Sequence, residues 1–163
     1  MTAEKSPPST PRKERLRRLD RLFGASPIYF VTACTVKRRA ILARPELHHV
    51  FLEFCRSGED HGAYVGAYVL MPDHLHLFVA LDPSGSLSLW MKSLKNTLSK
   101  ALRSLHVEAP HWQKGFFDHV LRSSDSYSQK WEYVRDNPVR ARLVRTWDKW
   151  PFSGQVHYLE YRQ

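Results

Sequence analysis

The chain has 163 residues, of which 42% are apolar, so it is long enough to form one domain with a buried core. Its 25 Lys and Arg residues outnumber 16 acidic residues, and the net charge of +9 favours polyanionic partners, either nucleic acid or an anionic membrane surface. No apolar run approaches the roughly 20 residues of a membrane-spanning helix and no signal-peptide core is visible, which predicts a soluble, cytoplasmic protein.

A basic leader over residues 1–25 opens the chain, ahead of a predicted domain over 26–146 and a C-terminal aromatic and basic segment over 147–163. A charge run of this kind is typical of a solvated tail. It is equally compatible with an arm that contacts DNA. The candidate contacts in the leader are Arg12, Lys13, Arg15, Arg17 and Arg18.

The pattern of apolar residues predicts four strands and three helices. In chain order we expect a strand over 28–36, a helix from Pro45 to near Gly58, strands over 63–70 and 74–81, a helix over 86–105, a strand over 116–122, and a last helix with Ser124 or Asp125 as N-cap that Pro138 ends. The order β-α-β-β-α-β indicates an α+β, ferredoxin-like (RRM-like) fold. We expect a four-stranded antiparallel sheet with two helices on one face, plus the C-terminal helix.

The strand over 74–81 carries two histidines on one face. Since side chains alternate along a strand, His74 and His76 point the same way, whereas the other face is apolar and must be buried. Two imidazoles placed side by side can bind one metal ion. The alternative is a pair of surface or cross-strand hydrogen-bonding histidines. The apolar face consists of Leu75, Leu77, Val79 and Leu81.

The last predicted helix carries Tyr133 and, four residues later, Asn137. Residues four apart on a helix lie on the same face, so a phenol and an amide are expected to point to one place. With the histidine pair, they supply what a phosphodiester transferase needs, a nucleophile and an oxygen ligand for a metal. The alternative is a core or rim tyrosine and an asparagine that caps the helix before Pro138.

These motifs together resemble the REP-associated tyrosine transposases, within the single-tyrosine HUH transposase family. The resemblance rests on Met71-Pro72-Asp73-His74-Leu75-His76, on Trp112-Gln113-Lys114-Gly115-Phe116-Phe117-Asp118-His119, and on Tyr133-Val134-Arg135-Asp136-Asn137-Pro138-Val139-Arg140-Ala141. It implies a metal-dependent endonuclease and strand transferase that acts on single-stranded DNA at hairpin-forming repetitive palindromes. Arg142 departs from the family pattern, which has glycine there.

The resemblance also implies roles for individual residues. Tyr133 would attack the scissile phosphate and form a 5′-phosphotyrosine, while His74, His76 and Asn137 would hold the metal. Two imidazoles with one oxygen fit Mn²⁺ at least as well as Mg²⁺. Asp118 or His119 could line the site.

The remaining cations are candidates for DNA contact. The helix over 86–105 has a basic face that includes Lys92 and Lys95. In the C-terminal segment, the aromatic side chains could either stack on unpaired bases or pack onto the sheet; they are Trp147, Trp150 and Phe152. Single-stranded or hairpin DNA is the expected partner of a nucleoid-associated monomer or homodimer, with no membrane and no obligate protein partner. Further candidate contacts are Arg122, Arg140 and Arg142.

Two other functions remain open from the sequence. A replication-initiator or relaxase-type HUH nickase would use the same chemistry on a different substrate. A non-catalytic module on an RRM-like sheet would bind nucleic acid through exposed aromatics at central strand positions. Metal-independent binding without cleavage would favour the second.

Overall fold

A five-stranded antiparallel sheet, in the order β4-β1-β3-β2-β5, forms the centre of the protein. The structure is a computed structural model and describes residues 27–159, apart from the side chain of Asp125. The elements are β1 (Ile28–Cys34), α1 (Pro45–Ser57), β2 (Ala63–Leu70), β3 (His74–Leu81), α2 (Leu87–Ser104), β4 (Phe117–Leu121), α3 (Ser124–Arg135), α4 (Asn137–Arg140) and β5 (Ser153–Gln155), with 3-10 turns at Val36–Arg38, Gly58–His61 and Trp147–Lys149.

The α+β fold predicted from the sequence is confirmed, with one strand added at the sheet edge. The first four strands follow the ferredoxin-like order, and the hairpin of β2 and β3 is antiparallel as expected. β5 adds a fifth strand beside β2. The predicted N-cap of α3 was wrong by at least one position, because the hydroxyl of Ser123 accepts the hydrogen bond from the backbone N–H of Ser126.

The larger core lies between one face of the sheet and helices α1 and α2. The apolar face of β3 is buried there, as predicted, with Leu75, Leu77 and Val79 fully inaccessible. Phe51 from α1 and Leu94 from α2 pack in the same cluster. This burial fixes the register of β3 and therefore the direction of the two histidines on its other face.

Helix α3 packs on the opposite face of the sheet, the one that carries the histidines. Tyr127 and Trp131 contact a buried cluster that includes Phe78, and Val134 packs with Val69 of β2. The sheet therefore lies between two helical layers, and α3 is fixed over the histidine face by its own apolar residues.

The predicted single helix from Ser124 to Pro138 is divided in two. α3 ends at Arg135, and α4 begins at Asn137 with Pro138 in its first turn. A proline inside a helix cannot donate to the carbonyl four residues earlier and its ring clashes with that carbonyl. The expectation that Tyr133 and Asn137 share one continuous helix was therefore wrong, since the break at Asp136 separates them.

The C-terminal segment packs onto the sheet over its described part, residues 147–159. The indole N–H of Trp150 donates to the carbonyl of Leu70 at 3.0 Å, and Phe152 packs against the larger core. Trp147 is different, with 41% of its surface exposed. Among the described residues, the helices are all too short or too polar to cross a membrane.

Candidate active site

His74 and His76 form the centre of the candidate site. Their ring centroids lie 4.7 Å apart and their planes meet at 81°. Because cross-strand partners share a face, Thr32 of β1, which pairs with His76, lies on the same side of the sheet. Phe30 stacks on His76 with a centroid distance of 5.3 Å.

Each histidine is oriented through its Nδ1 atom. His74 Nδ1 lies 2.7 Å from Oδ1 of Asp73, and His76 Nδ1 lies 2.8 Å from the hydroxyl of Thr32. A carboxylate can only accept, so the proton of His74 is on Nδ1 and its Nε2 carries a lone pair. Within residues 27–159, no hydrogen bond engages either Nε2 atom. Metal-binding histidines in proteins are held in this way.

Both imidazoles are uncharged at neutral pH. Burial, followed by the neighbouring His74, Lys130, Arg140 and Arg38 in that order, lowers the pKa of His76 to about 3. Burial also lowers the pKa of His74, although Asp73 opposes the shift. A neutral imidazole is the form that binds a metal ion.

Among the described residues, a third ligand beside the two histidines would have to be a neutral oxygen donor. In the described part of the chain, no three His, Cys, Asp or Glu side chains form a group that could hold an ion. Asn137 Oδ1 accepts a hydrogen bond of 2.9 Å from Arg140. A carbonyl oxygen has two lone pairs, so this bond leaves one for a further partner.

Tyr133 is exposed and Tyr127 is not. Tyr133 has 64% of its surface accessible and lines a shallow cavity of about 290 Å³ with His119 and Lys130. The Tyr127 hydroxyl accepts a 3.4 Å hydrogen bond from the backbone N–H of Ala67, and burial raises its pKa to about 12. Of these two phenols on α3, only Tyr133 is accessible to a large substrate.

Two cations connect Tyr133 with the histidine pair. The Arg140 guanidinium lies 4.0 Å from the ring centroid of Tyr133. The Lys130 ammonium lies 5.2 Å from the ring centroid of Phe30, which stacks on His76. The phenol, two cations and two imidazoles therefore belong to one region on the α3 side of the sheet.

Comparison with known proteins decides the family. The family model described as Transposase IS200 like matches residues 26–137 of the chain. The chain belongs to this transposase family. It is 28% identical over 131 residues to the REP-associated tyrosine transposase of Escherichia coli K12, across 77% of this chain and 74% of that protein.

Solved structures support the same assignment at the level of the fold. A REP-associated tyrosine transposase bound to a REP hairpin superposes with a TM-score of 0.66 and 22% identity, covering 84% of this chain and 91% of that one. A candidate transposase from Deinococcus radiodurans gives a TM-score of 0.52 with 18% identity, covering 68% and 90%. The resemblance seen in the sequence motifs is thereby confirmed.

Asp118 and His119 lie on opposite faces of β4. His119 pairs with Phe30, so it faces the histidine side of the sheet and lines the cavity beside Tyr133. Asp118 pairs with Val31, which is buried in the core on the α1 and α2 side. The structure therefore brings His119 near the site and turns Asp118 away from it.

The cations proposed for DNA contact differ in their surroundings. Lys92, Arg122 and Arg142 are exposed. Lys95 is half-buried, and its ammonium donates to the carbonyl oxygens of Gln113 and Gly115. The ammonium group of Lys95 is therefore engaged in hydrogen bonds within the protein and is a weaker candidate for DNA contact than Lys92. The leader cations, Arg12, Lys13, Arg15, Arg17 and Arg18, lie outside the described residues.

Four residues near the site received no role in the sequence analysis. Asp73 and Thr32 hold the two imidazoles, and Asp73 could have been found from its place directly before His74 in the motif. Thr32 could have been found only from the strand register. Arg38 reaches the site from the 3-10 turn after β1, and Lys130 reaches it from α3. A single basic residue at either position has no sequence pattern around it that would indicate this role.

Proposed function

We propose that the chain is a metal-dependent, single-tyrosine strand transferase that cuts single-stranded DNA beside hairpin-forming repetitive palindromes and rejoins it elsewhere. The observation that carries the proposal is the exposure of Tyr133 on the sheet face that holds the histidine pair. Membership of a transposase family and similarity to a relative bound to a REP hairpin support the substrate. The protein would act in the cytoplasm, on the nucleoid.

The metal would be held by His74, His76 and Asn137. The two available Nε2 atoms fit such an ion, and Mn²⁺ or Mg²⁺ are the ions that suit a mixed nitrogen and oxygen site. When bound, a divalent ion there would supply positive charge that stabilises the transition state of phosphoryl transfer.

Tyr133 would be the nucleophile. Its phenol loses a proton and its oxygen forms a bond to phosphorus, while the bond from phosphorus to the 3′ oxygen breaks and that oxygen takes up a proton. The product is a 5′-phosphotyrosine and a free 3′-hydroxyl. Since one phosphodiester replaces another, the bond can be passed to a second DNA end. Arg140, which lies beside the phenol, would stabilise negative charge on the reacting phosphate, and Lys130 would bind a neighbouring phosphate.

The structure gives no support to the RRM-like binding module. Such a module needs an open sheet face with accessible aromatics. Here α3 lies on the corresponding face, where Phe78 is fully buried against Tyr127.

The test is electrophoresis under denaturing conditions of protein mixed with a single strand labelled on the 3′ side of the cut. The wild-type protein should carry the label, and Tyr133→Phe should not, although it binds DNA equally well. Tyr127→Phe is the matched control, because it removes a phenol oxygen from the same helix but should still form the adduct. Labelling of Tyr133→Phe would show that another residue attacks.

The proposed substrate is tested separately. A hairpin with a single-stranded flank should be cut, whereas the same sequence annealed to its complement should resist, because the phenol must reach the phosphate without a partner strand in between. Equal cleavage of hairpin and duplex would refute the substrate but not the chemistry.

A further inference from the structure

We propose that Arg38 is a positioning residue that fixes His74 for metal binding by acting through Asp73; this inference rests on the proposed function. Arg38 lies in the 3-10 turn Val36–Arg38 after β1, next to the histidine pair. Its side chain makes three contacts there, and its backbone adopts a conformation that needs support.

The turn is held in a sterically unfavourable shape. Lys37 and Arg38 have φ angles of 51° and 52°, the left-handed region that residues with a Cβ atom rarely occupy. Thr35, which is buried, ties this turn to the segment before β3, since its N–H donates to the carbonyl of Asp73 at 2.9 Å. Its hydroxyl proton lies between the carbonyls of Arg39 at 2.8 Å and Asp73 at 3.0 Å. Two successive residues in the left-handed region persist only where the surrounding structure holds them there, and such backbone strain is often found beside functional groups.

The guanidinium of Arg38 is anchored on two sides. Its Nε donates to Oδ2 of Asp73 at 2.8 Å, and one terminal nitrogen donates to Sγ of Cys34 at 3.0 Å. The other terminal nitrogen lies 3.3 Å from Nδ1 of His74, but this contact is not a hydrogen bond, because Nδ1 carries its proton toward the nearer Asp73 carboxylate at 2.7 Å and a guanidinium can only donate. Cys34 is the cross-strand partner of His74, so the turn, β1 and β3 meet at this one cation.

The carboxylate of Asp73 is shared between two donors. Oδ2 accepts from Arg38, and Oδ1 accepts from Nδ1 of His74 at 2.7 Å. Arg38 thereby holds the carboxylate in the orientation that keeps the proton of His74 on Nδ1. His76 lacks such a charged partner, because it is held by the neutral hydroxyl of Thr32. The availability of Nε2 on His74 therefore depends on Arg38.

The inference is tested by calorimetric titration of the full-length protein with Mn²⁺ and by ¹⁵N NMR of the histidine tautomers without metal. Arg38→Gln should bind Mn²⁺ about 10-fold or more weakly, the effect typical of partners behind a metal ligand. Lys37→Gln is the matched control, because it removes the same charge from the same turn; it should bind Mn²⁺ like wild type. In the metal-free NMR spectrum, His74 should be a single Nδ1–H tautomer in wild type and a mixture in Arg38→Gln.

The outcomes separate this inference from the proposed function. Failure of wild type to bind Mn²⁺, or equal binding by His74→Ala, would refute the metal site, and the NMR comparison would still decide the role of Arg38. Arg38→Gln with the affinity of Lys37→Gln and an unchanged tautomer would overturn the inference. If Arg38→Gln fails to fold, Arg38→Lys replaces it, because a lysine keeps the charge but cannot bridge Asp73 and Cys34. An Mn²⁺ affinity of Arg38→Lys equal to that of Lys37→Gln would again overturn the inference.

Discussion

The guanidinium of Arg140 lies 4.0 Å from the ring centroid of Tyr133. The same side chain donates to Oδ1 of Asn137 at 2.9 Å. The break after α3 places Tyr133 and Asn137 on different helices, and the side chain of Arg140 contacts both of them. A cation in this position can bind a phosphate beside the phenol.

Replacing Arg140 tests whether this contact serves catalysis or stability. Arg140→Gln should slow strand cleavage by about 10-fold or more, since loss of one charge-stabilising donor in the transition state is typically worth at least that much. Unfolding free energy should change little, because an exposed cation–π contact contributes only about 0.5–1 kcal/mol. Rates under single-turnover conditions and urea unfolding measure the two effects. Arg145→Gln, an exposed neighbour, should cut at the wild-type rate; a similar loss there would mean general charge loss.

Arg142 is expected to weaken the fold. Its φ of 58° is left-handed, and α4 ends there in a Schellman motif, with Arg142 N–H bonded to the Val139 carbonyl and Leu143 N–H to the Pro138 carbonyl, each at 2.9 Å. Glycine adopts this conformation without the steric cost. Arg142→Gly should therefore raise the unfolding free energy by about 1 kcal/mol in urea titration. Arg142→Ala removes the same guanidinium but keeps the Cβ atom, and an equal gain in Arg142→Ala would contradict the explanation.

Lys92 and Lys95 belong to the same predicted basic face, and the structure separates their roles. Lys95→Gln should destabilise the protein by about 1–3 kcal/mol, because the carbonyls of Gln113 and Gly115 lose a charged donor. Lys92→Gln should leave stability within about 0.5 kcal/mol of wild type. For single-stranded DNA, Lys92→Gln should reduce the slope of log affinity against log salt by about 0.7 if it removes one phosphate contact. Reversed effects of the two substitutions would refute this division.

His48 should make stability depend on pH. Its Nε2 lies 2.7 Å from the hydroxyl of Tyr68, and burial, followed by the charge of Arg56, lowers its pKa. Below about pH 6.5, His48 takes up a proton in the unfolded chain more readily than in the folded protein. The contribution of neutral His48 to the free energy of unfolding is therefore complete above that pH and is lost as pH falls. Urea unfolding at pH 7 and pH 5 should show a smaller drop for His48→Gln than for wild type. His61→Gln, at an exposed position, should behave like wild type. A drop as large in His48→Gln as in wild type would exclude His48 as the source.

Strong local patterns made most of the fold predictable. The alternation along His74–Leu81 set the buried face and the direction of both histidines, because only one register buries four leucines and valines. β5 was missed because Ser153–Gln155 has neither length nor apolar alternation and is held by backbone pairing with β2. The helix break at Asp136 was not predicted because Pro138 was expected only to end the helix, whereas its missing N–H already leaves the carbonyl four residues earlier without a helical partner, and the first helix ends at Arg135.

The candidate site was only partly predictable for a different reason. The two histidines of the site lie in a short motif, but most of the groups that surround them come from distant parts of the chain. Arg38 reaches His74 through a strained turn, and Lys130 reaches the Phe30 ring from α3. Lys95 was predicted to contact DNA, but its ammonium group instead donates to carbonyls in a loop about twenty residues later in the chain. Contacts of this kind depend on tertiary packing and leave no periodic pattern in the sequence.

The central claim is that Tyr133 forms the covalent bond to DNA, and peptide mapping of the adduct tests it most directly. The wild-type protein is reacted with a single-stranded substrate and Mn²⁺, denatured, and digested with protease and nuclease, and the nucleotide-bearing peptide is sequenced by mass spectrometry. We expect the modification on Tyr133 alone. A nucleotide on Tyr127 or on any other residue, with Tyr133 unmodified, would contradict the account.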